Sequence, residues 1–124
     1  MRVELITKQA DGVPHWVEYR DQLMALDKFA VEEAATVTVG EGGGNRVSML
    51  AMQNDMRNTL LGRVITSWSF PAPIPSSNGF QAADVAIGSV LNLKDYSVLA
   101  KAVEPLMDEI EGRDLPDPKS PSKE

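Results

Sequence analysis

Residues 46–70, RVSMLAMQNDMRNTLLGRVITSWSF, constrain the fold of this chain more than any other stretch. Met49, Met52, Met56, Leu60, Val64 and Trp68 recur at three- and four-residue spacing, and Leu61 and Ile65 widen the stripe. The spacing predicts a helix with one apolar side maintained for about six turns. Pro71 and Pro73 follow at once and end it, because neither can donate a backbone hydrogen bond. Most of the stability of such a helix comes from packing its apolar side, so the rest of the chain or another subunit must cover it.

The chain can supply only a modest cover. With 124 residues it is one domain, large enough for two or three helices and a small sheet. The expected fold is α+β and mostly α-helical: a single globular domain over 1–112, made of a β-hairpin over 1–20 and a helical part over 21–112, followed by a disordered tail over 113–124. That tail reads RDLPDPKSPSKE, rich in proline and without an apolar period. The hairpin rests on residues 2–7, RVELIT, and on the alternation over 13–20, with Asp11-Gly12 as a turn pair between them in a loop that can exceed two residues. Alternation puts His15, Val17 and Tyr19 on one face and Trp16, Glu18 and Arg20 on the other. Trp16 is then either a staple onto the helices or a partner contact, and the core role is favoured by the large area a tryptophan buries.

Further elements follow in order. Residues 23–35 suit a short helix with Asp27 as its N-cap, and Thr36-Val37-Thr38-Val39 suit a short strand. Residues 82–91 suit a short helical piece. Residues 94–111 place Tyr96, Leu99, Val103, Leu106, Met107 and Ile110 at helical spacing, with Asn92 as cap and Asp95 near the positive end of the helix. Pro105 interrupts this pattern and should kink the helix or split it in two.

Chemical signals are sparse. Gly40, Gly42, Gly43 and Gly44 precede the long helix, but Arg46-Val47-Ser48 replaces the Gly-Lys-Ser/Thr of a phosphate-binding loop, and the spacing does not fit a dinucleotide fingerprint. The chain has no cysteine, so thiolate ligands and disulfides are excluded. His15 is the only histidine, with no serine or acid placed for catalysis beside it in sequence. Glu32, Glu33, Asp108, Glu109 and Glu111 read as solvated helix faces. A net charge of −6 argues against a general nucleic-acid footprint. No apolar run is long enough for a membrane span and the start lacks a signal peptide, so a soluble intracellular protein with protein partners and no cofactor is expected. Met49, Met52, Met56 and Trp68 are the candidate partner-binding residues, since flexible thioethers repack against varied surfaces, although core filling is the commoner role for such a stripe.

Two blocks carry a resemblance to a known family. Leu60, Leu61, Arg63, Val64, Ile65, Ser67, Trp68 and Ser69, then prolines, then Asp95, Tyr96, Leu99, Ala102, Val103, Glu104 and Pro105 form a pattern similar to that of the tail assembly chaperones of long-tailed bacteriophages, particularly those of actinobacteria. Residues 36–45 lie outside the pattern. The resemblance implies a non-enzymatic protein that coats the helical tape measure protein, helps recruit tail tube subunits in the host cytoplasm, and is missing from the mature virion. It further implies self-association or association with a longer frameshift product. Two alternatives make different predictions: a head-tail connector or tail terminator would be found in particles, and a small enzymatic or ligand-binding domain would show a pocket near His15, Tyr19 or Tyr96.

Overall fold

A computed structural model describes residues 1–42, 49–77 and 83–112, with side chains of 36–42 left aside. The chain is α+β, as expected, with an N-terminal hairpin followed by helices. Strand β1, Arg2–Lys8, pairs antiparallel with β2, Pro14–Tyr19. The turn over 9–13 uses Asp11 and Gly12 for separate tasks. Gly12 takes the positive φ of +86° that a side chain would resist, while the Asp11 carboxylate accepts the Val13 N–H at 3.0 Å.

The hairpin has two unlike faces. Leu5, Val17 and Tyr19 are buried, and the Tyr19 hydroxyl donates to the Ala102 carbonyl at 3.3 Å. Trp16 lies on the other face, where the Arg2 guanidinium sits 4.1 Å above its ring and bridges onward to Glu18 at 3.3 Å. The favoured core role for Trp16 is therefore corrected. Its alternation partners are charged, and a cation covers the ring in place of a helix.

A third strand corrects the long helix. Helix α2 spans Met49–Val64, and Ile65–Trp68 leave it as strand β3, paired antiparallel with β2 through Val17–Trp68, Glu18–Ser67 and Tyr19–Ile65. The sheet order is β1-β2-β3. Ile65 and Thr66 are β-branched and Trp68 is aromatic, so this segment fits a pleated surface better than a helical turn. An irregularity in pairing between Glu18 and Tyr19 lets Ile65 and Trp68 both face inward at a spacing of three, which in sequence imitates a helix. The predicted helical residues 46–48 lie outside the described residues.

Helix α1, Ala25–Gly42, runs past Ala35 and absorbs residues 36–39, which were expected as a strand. Valine and threonine cost a helix only about 0.7 kcal/mol each at most, and packing along α2 outweighs that. The two helices are antiparallel, since Asp27 near the start of α1 bonds Arg63 near the end of α2 at 2.8 Å. Asp27 is not the N-cap. It sits in the first turn and accepts the Met24 N–H at 2.8 Å, the return half of a capping box.

Beyond a 3-10 turn at Pro75–Ser77 come α3, Ala83–Gly88, α4, Leu93–Ala102, and α5, Glu104–Glu111. A Cβ on Gly62 would lie 3.1 Å from the Ala83 Cβ, so α3 approaches α2 closely there. Asn92 caps α4 through the Asp95 N–H at 2.8 Å, as its sequence position implies. Pro105 splits the last helical stretch, as expected. It falls in the first turn of α5, where its missing N–H costs nothing, and Val103 serves as the joint. The predicted tail, 113–124, lies outside the described residues. Val31, Leu60, Leu61, Val64, Ile87, Leu99 and Val103 are fully buried in one core cluster with the inner face of the sheet.

Candidate functional site

Two buried carboxylates decide which surfaces remain free. Asp27 has no solvent exposure and is gripped by Arg20 through Nη1 at 2.7 Å and Nη2 at 2.8 Å, and by Arg63 Nε at 2.8 Å. The Arg20 bonds, opposed by burial and aided by the Met24 N–H and Arg63, hold its carboxyl far below the usual carboxylate range. Asp95 accepts the Ile6 N–H at 2.8 Å, the Thr7 N–H at 3.1 Å and the Thr7 hydroxyl. Burial pushes the Asp95 carboxyl up, but the Thr7 and Ile6 hydrogen bonds and the charge of His15 outweigh it and leave it lowered. These bonds also occupy donors on the free edge of β1, which limits pairing with another strand.

The sign of the pH effect follows. Both folded-state carboxyls ionise more readily than in the unfolded chain, so their stabilisation is complete above the unfolded value of about 3.9 and is lost as pH falls toward the folded values. Urea midpoints should hold steady near neutrality and drop steeply below about pH 4. Asp95→Asn should lower the neutral midpoint and flatten the acid limb. An unchanged acid limb in this variant would show that Asp95 is not linked to folding.

Asp27 sets the rotation of α1. Asp27 and Val31, four residues apart, both point inward with no exposure. Leu26 and Phe29 therefore face solvent, 65% and 56% exposed, beside Met24 at 58%. Sequence periodicity missed this surface, because nothing local announces that an aspartate rather than Phe29 occupies the inner position.

The four sequence candidates separate. Met49 is 64% exposed at the start of α2, Met52 is half-buried, and Met56 packs against the core cluster. Trp68 is 7% exposed, donates Nε1–H to the Ala72 carbonyl at 2.8 Å, and meets Phe70 edge-on with ring centres 5.6 Å apart. It is a core residue of the monomer.

His15 is stacked on Phe70, centroids 4.2 Å apart, with Nδ1 2.8 Å from the Ser69 hydroxyl oxygen. The fold thus brings it a serine that sequence proximity did not. Ser69 Oγ also accepts the Trp16 N–H at 2.9 Å, so the pair fastens the end of β3 to β2. Asp95 feels the His15 charge, but no hydrogen bond joins the two among the described residues. Neither Tyr19, buried against α4, nor His15 lines a described cleft, whereas Tyr96 borders two adjoining ones. No group of three or more potential metal ligands occurs among the described residues, nor is any helix there long and apolar enough to cross a membrane.

Compared with family models, curated proteins and solved structures, the chain matches none. Functional reading therefore rests on the surface. Large apolar side chains lie in solvent around the start of α1 and, at the opposite end of the antiparallel pair, at the start of α2, while every buried side-chain nitrogen and oxygen among the described residues has a partner.

Proposed function

We propose that this protein is a non-enzymatic assembly chaperone of the long-tailed bacteriophage type, which covers hydrophobic faces of a helical tape measure protein and assists recruitment of tail tube subunits. The observation that carries the reading is the exposure of Leu26 and Phe29 on α1, of Met24 just before it, and of Met49 on α2. Met24, Leu26 and Phe29 gather around the start of α1, Met49 stands at the far end of the antiparallel pair, and an amphipathic helix laid along the two helices can meet both groups. A net charge of −6 keeps such a surface soluble while it waits for a partner. On this reading the protein acts in the host cytoplasm, alone, self-associated or with a longer frameshift product, and leaves before the virion is complete.

Co-expression with a tape measure protein tests it. The partner should become soluble and co-elute with this chain in gel filtration, and purified tails should contain no stoichiometric copy. Leu26→Asp with Phe29→Asp should abolish solubilisation while changing stability by only about 0.5 kcal/mol, because both side chains are already in water. Persistent aggregation of the partner with wild-type protein, or a fixed number of copies in mature tails, contradicts the proposal.

A further inference from the structure

We propose that the groove between α2 and α4–α5 binds an extended peptide segment bearing an acidic side chain. The groove encloses about 690 Å³ and adjoins a second cleft of about 350 Å³; Asn54, Leu93 and Tyr96 border both. None of Met24, Leu26, Phe29 and Met49 lines either cleft, and the inference does not rest on the chaperone reading.

The polar wall comes from one face of α2, where Asn54 borders both clefts and Asn58 the smaller one. Asn54 and Asn58 are four residues apart, a rise of about 6 Å along the helix, close to the 6.4–6.8 Å or so that separates alternate residues of an extended chain. Two carboxamides at this spacing can meet alternate peptide units. Their oxygens are already engaged: Arg57 Nη1 donates to Asn54 Oδ1 at 3.2 Å, and the Tyr96 hydroxyl donates to Asn58 Oδ1 at 2.6 Å. That leaves the Nδ2 groups as donors for a visiting backbone carbonyl. Leu93, 79% exposed, and the Tyr96 ring supply the apolar surface on the opposite wall.

Charge selects the side chain. Arg57 and Lys101 both line the groove, and neither has a carboxylate within ion-pair distance among the described residues. An aspartate or glutamate on the peptide satisfies them, with Arg57 able to grip it in two-pronged fashion. Glu104 and Glu111 on the α5 wall favour a basic residue elsewhere on the peptide, so the opposed charges of the lining together fix its direction.

The test is selection of a displayed random dodecapeptide library on the immobilised full-length chain, followed by NMR titration of a recovered peptide. Recovered sequences should share an acid at one position. Titration should shift backbone resonances at 53–58 and 93–101. Asn54→Ala should weaken binding on the order of tenfold, the effect of losing a hydrogen bond at a binding site. Arg57→Glu should select peptides with lysine or arginine at the acid position. Both residues lie outside the core cluster, so the variants keep the native circular dichroism. No enrichment over bare support, recovered peptides without a shared acid, shifts confined to other surfaces, or unaltered affinity in both variants would each overturn the proposal.

Discussion

Trp68→Ala is expected to lower stability by about 3–5 kcal/mol, the largest effect of any single substitution considered for this chain. Trp68 closes β3 against Val17 of β2, and its ring fills the corner where the sheet meets the segment leading to Pro75. Truncation leaves a cavity in a close-packed region, removes the edge-on contact with Phe70, and strands the Ala72 carbonyl that now accepts the indole N–H. Urea denaturation followed by far-ultraviolet circular dichroism measures the loss. A cost below about 1 kcal/mol would mean that Trp68 is not in the core, and would return it to the candidate partner-binding residues.

The second large effect belongs to Asp27. Asp27→Ala should cost about 3 kcal/mol, because it removes a carboxylate that accepts four hydrogen bonds and leaves two guanidinium groups facing each other. Arg20 and Arg63 are about a third exposed, 34% and 38%, so water recovers part of the loss. Arg63→Ala should be milder, about 1 kcal/mol, since Arg20 keeps both of its bonds to the carboxylate. Thermal melts of both variants check the order. Equal losses would contradict a site in which Arg20 is the main partner. Because Asp27 also fixes which residues of α1 face outward, its removal should weaken partner solubilisation even where Leu26 and Phe29 remain.

These two residues also show where sequence legibility ends. The hairpin could be read locally, since Asp11-Gly12 and the alternation of Val17 and Tyr19 need no distant information. The same holds for the Asn92 cap and the break at Pro105, each governed by one residue's backbone chemistry. Ile65 to Trp68 were misread because a strand with irregular pairing shows the same three-residue spacing as a helix, and only the free edge of β2 decides between them. Residues 36–39 were misread for the opposite reason, local strand preference being overruled by the packing of α1 on α2. The surface was hardest. The contacts of Asp95 with Thr7 and of Asp27 with Arg63 join residues 88 and 36 positions apart; with Asp27 inside, Phe29 turns out, while Met56 takes the core-filling role that its stripe favoured.

The most direct measurement of the partner-covering role is hydrogen–deuterium exchange on the chain alone and in complex with a tape measure protein. Slower exchange on binding is expected over 24–33 and 49–53, where Leu26, Phe29 and Met49 stand in solvent, with the outer face of the sheet around Trp16 unchanged. Protection restricted to that sheet face, or no change anywhere while the partner stays soluble, would contradict it.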